Sequence, residues 1–324
     1  MAIQLGGRRG TALRSSRKTI WMPVQSRHSE SDRYQFMLAQ DVANSILPIG
    51  GSSEKRPFKV TLASQDDKVS EMVVRGLSND EGSWSRDLAR ATSHFFSECA
   101  LRLMSFGETV YEITFLSDET SGTELGFKFV GVQHATFTWR KGALVQSVPK
   151  EYADLQKVPR EIVVQPDLLL RFELPERFRA DYPKLLAGLA ALGGKLFPDF
   201  AFPMAQERNA IPFDSTDYIR TLNMAIAQVV GAIGWDARGT WGEHTLEYFA
   251  LYRRLRFESF KVLLRDQILS TVNRGISAAG KRLSFSATLE LHGVPTLEEI
   301  DRATERLESS DCTFREILSS FKWY

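Results

Sequence analysis

The order of hydrophobic and polar residues predicts an N-terminal part that mixes helices with short strands. Residues 31–46 predict a helix, and residues 56–75 suggest short strands. Within residues 83–106 the apolar side chains recur at helical spacing, which predicts a helix capped by Ser83 or Ser85. These segments indicate an α+β arrangement in this part of the chain.

A β region follows this helix directly. Gly107 is the predicted end of the helix, and in residues 108–115 (ETVYEITF) apolar side chains alternate with polar ones, as in a strand. Residues 135–146 (ATFTWRKGALVQ) predict a hairpin that turns at Lys141–Gly142. Residues 167–174 predict a further strand, so the N-terminal region is expected to hold antiparallel strands.

The C-terminal half is predominantly helical in its apolar spacing. Thr296 and Glu299 have the spacing of a capping box, in which each residue binds the backbone of the other. The predicted elements are helices at 183–196, 214–233 and 241–274, a strand at 283–291, and a final helix that begins at Thr296. The fold class predicted from these patterns is α+β, with an N-terminal α/β region and a C-terminal helical half.

The longest predicted helix has two apolar faces. One face carries Leu246, Phe249, Ala250, Phe257, Phe260, Leu264 and Ile268, and the opposite face carries Tyr248, Leu251, Leu255, Val262 and Leu269. Each Leu or Phe left exposed to water would forfeit about 1.5–3 kcal/mol of burial. We therefore expect both faces to be covered.

Two interpretations account for such a helix. In the first, it runs through the core of one subunit and its own chain covers both faces. In the second, it is wedged between neighbouring subunits of a ring, and the charges on its flanks pair across the interface. The residues predicted to meet a neighbour under the second interpretation are Leu255, Phe257, Phe260, Arg253, Arg256 and Glu258.

The connection before this helix, residues 234–241, is rich in tryptophan and glycine. Trp235 and Trp241 are predicted to anchor its two ends in apolar surface. Two interpretations of the connection stay open. It plugs the corner between two helices, or it is an exposed loop in which Asp236 and Arg238 lie at the surface and Arg238 contacts a polyanion.

Charge is distributed unequally along the chain. Residues 1–29 contain six basic residues and no acidic residue, and since the whole chain has a net charge of +1, the remainder must carry −5. Such an arm, rich in Gly and Ser, is predicted to be flexible and to order only on an acidic surface or nucleic acid. No apolar run is long enough to span a bilayer, so no membrane association is expected.

The sequence lacks the residue patterns of common catalytic and metal sites. The histidines have no metal-ligand spacing, and there is no H-E-x-x-H, phosphate-loop or G-x-S-x-G motif. No catalytic residue, metal ligand or cofactor is therefore predicted. A metal-dependent nuclease is an alternative, since Asp167 and Glu173 lie on one predicted strand. The lysine that usually completes such a site is missing, because Glu173 is followed by Leu174–Pro175.

Several segments, taken in order, resemble the portal proteins of tailed bacteriophages. LRLMSFGETVYEITF is similar to their helix–Gly–strand unit, and VVQPDLLLRFELP is similar to the strand before their first stem helix. YIRTLNMAIAQVVGAIGWDARGTWGEHTLEYFALYRRLRFESFKVLLRDQILSTVNRGI resembles their stem helix, tunnel loop and long crown-side helix in succession. The resemblance covers roughly residues 31–310 and rests on element order more than on a catalytic signature.

The resemblance implies a division of the chain. A basic arm (1–29) would precede a wing-like α+β region (30–180), stem helices (181–233) with a short clip-like connection (197–213), a tunnel-type loop (234–241), and a crown-side helix with a final strand and helix (242–324). The connection at 197–213 departs from the family, whose clip domain docks the packaging motor and later the neck proteins. In the tunnel-type loop and second stem helix, the residues implied to face DNA are Arg238, Asp236 and Arg220.

The resemblance also implies partners and a location. Portal proteins form a ring, typically of twelve subunits, at one vertex of a capsid, and duplex DNA passes non-specifically through its centre. The expected partners are further copies of this chain, DNA, the major capsid protein, the terminase motor and neck or tail adaptor proteins. The expected location is the virion, after assembly in the host cytoplasm. A different oligomeric virion adaptor or structural protein is the principal alternative.

Overall fold

The computed structural model divides the chain into two compact units. The first unit comprises residues 1–25, 47–173 and 265–294, and the second comprises residues 26–46, 174–264 and 295–324. The structure describes residues 13–22, 33–48, 58–64, 66–78, 87–193, 224–237 and 247–320. Within these ranges, no helix is long and apolar enough to cross a membrane.

Helices and strands follow one another in the mixed order that the sequence predicted. The elements up to residue 173 are β1 (Leu13–Ser15), α1 (Arg33–Ser45), β2 (Lys59–Ala63), α2 (Asp67–Leu77), α3 (Leu88–Phe106), β3 (Glu108–Asp118), β4 (Glu124–Gly131), β5 (Phe137–Arg140), β6 (Ala143–Ser147), α4 (Lys150–Gln156), β7 (Glu161–Val164) and β8 (Leu169–Glu173). The later elements are α5 (Glu176–Arg179), α6 (Tyr182–Gly193), α7 (224–230), α8 (Glu247–Leu283), β9 (Thr288–His292), α9 (Leu297–Glu308) and α10 (Phe314–Ser320). The predicted fold class is confirmed.

Strand β3 is the centre of the main sheet of the first unit. β4 pairs antiparallel with one edge of β3, while β1 and β8 pair antiparallel with two successive stretches of the opposite edge. Residues 109–115 of β3 are all buried, so both faces of the sheet are covered there. Two smaller antiparallel sheets, β5–β6–β7 and β2–β9, complete the described strands of this unit.

Aromatic side chains fill the space between α3 and the main sheet. The ring centroid of Phe95 on α3 lies 5.0 Å from Tyr111, 5.9 Å from Phe129 and 6.1 Å from Phe172. All four rings are fully buried. Buried aromatic pairs at these separations contribute beyond their area, which explains why the helix–Gly–strand unit forms the core.

The start of α3 differs from the prediction, whereas its end does not. Asp87 is the N-cap, and its side chain accepts a hydrogen bond from the Ala89 amide at 2.9 Å. Ser83 and Ser85, the predicted caps, lie outside the described residues. A carboxylate immediately before the first helical turn satisfies a free amide as well as a serine does. Gly107 ends the helix in the left-handed conformation, as predicted.

The stretch predicted to form short strands at residues 56–75 is part strand and part helix. β2 confirms a strand at Lys59–Ala63, but Asp67–Leu77 forms α2, with Asp66 as its N-cap. The β-branched valines of this stretch favour a strand locally. In α2 they lie on one face with Leu77 and are buried, and this tertiary burial overrides the local preference.

The long helix α8 continues past its predicted end at residue 274, through Gly275, and ends at Leu283. The first six residues of its predicted range, 241–246, lie outside the described residues. A Cβ at Gly275 would lie 2.5 Å from Leu170 Cδ1 on β8 and 2.8 Å from Phe129 Cζ on β4. This glycine therefore lets the helix approach the main sheet closely, a role that its position in the sequence does not reveal.

Replacement of Gly275 by alanine should destabilise the first unit despite the better helix propensity of alanine. The added methyl group must displace buried side chains, and overpacking of this kind costs about 1–3 kcal/mol. The matched control is Gly126→Ala on β4, where an added Cβ meets nothing within 4 Å. Urea unfolding of both variants tests this, and a Gly275→Ala variant as stable as wild type would contradict the close packing.

Residues 13–22 of the predicted N-terminal arm pack on the first unit, while the flexibility of the arm as a whole stays a prediction. Leu13–Ser15 form β1, which pairs with β3. Residues 16–22, called the strap below, follow; Ser16 still binds Phe115 of β3, since its amide donates to the Phe115 carbonyl at 2.9 Å and its hydroxyl accepts from the Phe115 amide at 2.8 Å. Beyond Ser16 the strap pairs with no described strand. Side chains of Glu112, Gln133 and Gln146 bind the strap backbone instead. The composition of the arm could not predict these contacts, because the partners of the strap lie far along the chain.

In the second unit, α8 packs against the two C-terminal helices. Its residues Leu251, Leu255 and Val262 share one buried cluster with α9 and α10, which supply Ile300, Ala303, Leu307 and Ile317. The predicted capping box at the start of α9 is confirmed: Glu299 N donates to Thr296 Oγ1 and Thr296 N donates to Glu299 Oε2. The C-terminal helices therefore cover one apolar face of the long helix.

Candidate functional site

The connection that the sequence singled out begins with a tight turn at the end of α7. Residues 231–237 are called the joint. Gly234 has φ +75°, and its amide donates to the Val230 carbonyl at 2.9 Å. A Cβ at Gly234 would lie 2.2 Å from the Arg253 carbonyl oxygen, so only glycine fits where the joint meets α8.

Trp235 is fully buried and fixes the joint to the second unit. Its indole Nε1–H donates to Asp41 Oδ2 on α1 at 2.9 Å. A buried indole needs a partner for its N–H, and Asp41 supplies one from 194 positions away. Trp235, a predicted anchor of the connection, is therefore buried and hydrogen-bonded to α1. The choice between a corner plug and an exposed loop stays a prediction.

Two arginines of α8 hold the joint from the other side. Arg253 Nη2 donates to the Trp235 carbonyl at 3.4 Å, and Arg256 Nη1 donates to the Gly231 carbonyl at 3.2 Å. Arg256 also stacks over the Tyr252 ring, with its Cζ 4.7 Å from the centroid. Cations near the carbonyl end of a helix are favoured by its dipole, so these contacts stabilise the end of α7.

The electrostatics of the joint combine both signs of charge. Burial lowers the pKa of Arg253 and of Arg254, and the nearby carboxylate of Asp236 opposes that shift for both groups. Asp236 is itself exposed. The guanidinium groups remain charged at neutral pH, since arginine is effectively always protonated in proteins. The joint therefore presents a mixed surface rather than a purely cationic one.

Replacement of Trp235 by phenylalanine should destabilise the subunit by about 1–2 kcal/mol, since it removes the hydrogen bond that the buried indole donates to the half-buried Asp41. The control is Trp21→Phe, whose side chain is 63% exposed and should change stability little. Thermal unfolding measures both variants. Equal melting temperatures for the two would contradict the anchoring role of Trp235.

Two of the six candidate interface residues belong to the core of this chain. Leu255 is 1% exposed and packs in the cluster with α9 and α10, and Phe260 is fully buried against Phe178, at a ring-centroid distance of 4.9 Å. These two side chains are unavailable to a neighbouring subunit, which corrects their assignment. The helical pattern showed that they would be buried but could not show which element buries them.

The other four candidate interface residues are partly or fully accessible. Arg256 is exposed, and Arg253, Phe257 and Glu258 are half-buried. Glu258 already forms an ion pair within its own chain, because Lys261 Nζ lies 2.7 Å from its Oε1. Their contact with a neighbour stays a prediction.

A cleft of about 540 Å³ opens beside α6 and α7 in the second unit. Apolar side chains such as Phe178, Tyr182 and Val229 line it, together with the cations Arg177, Lys184 and Arg256. Lys184 is paired with Asp181 at 2.9 Å, and Arg256 holds the joint. Most of its positive charge is thus already engaged within the chain.

Three predicted site residues, Arg238, Arg220 and Trp241, lie outside the described residues. The structure therefore brings together Asp236, Trp235, Arg253 and Arg256 from the predicted set. It adds Asp41, which sequence reasoning missed because no local motif links an acid on α1 to a tryptophan so distant in the chain.

The two acids considered for a nuclease do not form a metal centre with their surroundings. Glu173 is paired with Arg171 at 3.0 Å, and Asp167 is exposed in a one-turn 3-10 helix before β8. Across the described ranges, no group of three or more His, Cys, Asp or Glu side chains could hold a metal ion. Nothing in this geometry favours the nuclease alternative.

Comparison with known proteins finds a distant structural likeness. No family model matches the chain, and no curated protein matches it. Its fold is similar to the crystal structure of an HK97 family phage portal protein from Corynebacterium diphtheriae, with 13% identity over 82% of this chain and 95% of that chain. The TM-score is 0.40. A match at this level is a distant likeness of fold and does not establish a shared function.

Proposed function

We propose that this chain is the subunit of a portal-like ring that forms a channel for duplex DNA at a capsid vertex. In this role it is a non-enzymatic structural protein of a virion, used in genome packaging, retention and ejection. Its partners are further copies of itself, DNA, the major capsid protein, a terminase motor and neck or tail adaptors. No cofactor enters the proposal.

One observation carries this proposal. Helix α7, a tight joint and the 37-residue helix α8 follow one another in the order of the stem helix, tunnel loop and crown-side helix that the sequence resembles. The joint is built for a fixed geometry, since Gly234, Trp235 and two arginines of α8 define the path of the chain up to residue 237. A rigid base of this kind suits a loop that must be presented at a defined position.

The charges near the joint suit DNA that slides. A channel must contact phosphates weakly and without sequence preference, because strong clamping by many cations would hold the duplex in place. Asp236 lies close enough to Arg253 and Arg254 to influence their pKa, and it moderates their positive potential. The body of the chain beyond residue 29 has a net negative charge, which also disfavours tight binding of DNA.

Replacement of Arg238 by alanine tests the DNA contact. If this side chain meets phosphate, the variant should lower the salt slope of duplex binding by about 1 per contact engaged, and should retain DNA less well. Folding and assembly should not change. Duplex binding at several salt concentrations and DNA retention by the assembled protein are the measurements.

A matched control separates this effect from general loss of charge. Arg302→Ala also removes one arginine, but Arg302 lies on α9 and pairs with Glu298 at 2.7 Å. Its slope should equal that of wild type. A melting temperature lowered in Arg238→Ala, with an unchanged salt slope, would mean that residue 238 belongs to the corner plug and would remove the proposed DNA contact.

A further inference from the structure

The strap is held by side chains that bind its main chain. Glu112, on β3, accepts hydrogen bonds from Lys18 N at 2.8 Å, from Thr19 N at 2.9 Å and from Thr19 Oγ1 at 2.7 Å. Two adjacent amides and a hydroxyl therefore converge on one carboxylate. Such charge-assisted hydrogen bonds are stronger than neutral ones.

Two glutamines continue this pattern along the strap. Gln146 accepts from Ile20 N at 2.9 Å and donates to Ile20 O at 2.7 Å. Gln133 accepts from Met22 N at 2.8 Å and donates to Met22 O at 2.6 Å. Each amide side chain thus takes the place of a neighbouring strand and satisfies both polar groups of one residue. Glu112, Gln133 and Gln146 together are called the strap groove.

The groove requires an occupant. Glu112 is 1% exposed and Gln146 is fully buried. Within the described part of the chain, every hydrogen bond donated to Glu112 comes from the strap. A buried carboxylate without donors is strongly unfavourable. Met22 adds apolar burial, since its side chain lies in the cluster that includes Val110 and Leu144.

These contacts do not depend on the strap and groove belonging to one chain. Among the described hydrogen bonds of the groove carboxylate and amides, Thr19 Oγ1 supplies the one that comes from a strap side chain, so any copy of the segment in the same register satisfies them equally. The strap ends three residues before the boundary between the two units in the sequence. Residues up to Gln25 belong to the first unit, and Ser26–Ile46 belong to the second. An exchange of the strap therefore separates no helix or strand from its own unit, apart from β1, which moves with the strap.

Charge complementarity favours exchange between copies. Residues 1–29 carry six basic residues and no acid, whereas the remainder of each chain has net charge −5. A basic arm is attracted to the acidic body of a neighbouring copy, and in a closed ring every arm can reach an equivalent groove. We propose that in the assembled protein the strap of each subunit occupies the strap groove of an adjacent copy. This inference rests on the proposed ring.

Engineered disulfides report which chain supplies the strap. Arg14 on β1 and Ser117 on β3 are directly opposite each other. Opposite residues of antiparallel strands have Cα atoms about 4.5–5.5 Å apart, within disulfide range. The background carries Cys312→Ser. Cys99 is retained, because it is fully buried and burial raises its pKa well above the ordinary value, which leaves little reactive thiolate.

The decisive experiment co-expresses two single variants, Arg14→Cys and Ser117→Cys, with tags of different size. Strap exchange predicts that mild oxidation makes the covalent heterodimer the main cross-linked species. The control pairs Arg14→Cys with Ser147→Cys, an exposed serine on β6 that lies opposite Glu161 and not opposite β1. This control should give only a background level of heterodimer.

The double variant Arg14→Cys/Ser117→Cys in one chain completes the test. Exchange predicts covalent chains longer than one subunit, whereas a strap in its own groove gives cross-links within single chains. Intrachain cross-links only, or no cross-link in any pairing, overturn the inference. Native mass spectrometry of wild type keeps the two proposals apart. A ring with only intrachain cross-links would overturn strap exchange and leave the portal-like function supported. Strap exchange in a dimer without a ring would overturn the portal-like function and leave the exchange supported.

Discussion

Deletion of residues 1–22 is expected to destabilise the first unit by about 3–6 kcal/mol, because Glu112, Gln133 and Gln146 lose their hydrogen-bond partners in the strap and the burial of Met22 is lost. The buried side chains of Glu112 and Gln146 would lose the hydrogen bonds that they make with the strap. Folded domains are stable by only about 5–15 kcal/mol, so much of the protein should unfold at lower denaturant concentration. Water entering the opened groove offsets part of the loss.

The matched control is deletion of residues 1–12, which keeps β1 and the strap. Residues 1–12 of the arm (1–29) are absent from this variant, but every described contact with the strap groove is retained. Urea unfolding should place its midpoint close to that of wild type. Equal stability of the longer and the shorter deletion would contradict a structural role for the strap. A basic arm of purely electrostatic function would give that result.

Replacement of Leu255 by aspartate should destabilise the subunit by about 4 kcal/mol or more, because it removes a buried side chain and places a charge among apolar neighbours. Leu255 is 1% exposed and lies against α9 and α10. The expected outcome is an unfolded or aggregated subunit. Release of folded monomers from a ring would instead indicate that this face of α8 meets a neighbour.

Phe249→Asp is the control for the same helix. Phe249 is 54% exposed, so the introduced carboxylate can remain hydrated and the subunit should fold. Circular dichroism and native mass spectrometry of the two variants separate stability from assembly. If Phe249→Asp folds but no longer assembles, the exposed first turn of α8 is part of the subunit interface.

Sequence periodicity located elements whose signals are local. Gly107 ends α3, the hairpin turns at Lys141–Gly142, and Thr296 and Glu299 form a capping box, as predicted. Each of these depends on residues within a few positions of one another. The propensities and caps that decide such features are contained in the segment itself.

Features that depend on distant partners escaped prediction. The valines of α2 suggested a strand because their burial in the folded unit is invisible locally. The sequence pattern predicts a helix end at Gly275, but this glycine lies within α8 and allows Leu170 and Phe129 to pack closely against the helix.

The candidate site was predicted in part for the same reason. The tryptophan- and glycine-rich connection predicts Trp235 as an anchor. No sequence pattern indicates that Asp41 is the residue that binds its indole. The strap groove was missed entirely. Glu112, Gln133 and Gln146 are ordinary polar residues of a β region until the strap, about a hundred positions away, is placed beside them.

Images of the purified wild-type protein test the proposed ring. Negative-stain electron microscopy, with native mass spectrometry on the same sample, should show a closed ring with a central opening and a mass that is a multiple of 36.6 kDa. Twelve copies are expected from the resemblance to portal proteins. A stable monomer at micromolar concentration, with no rings in the images, would contradict the account.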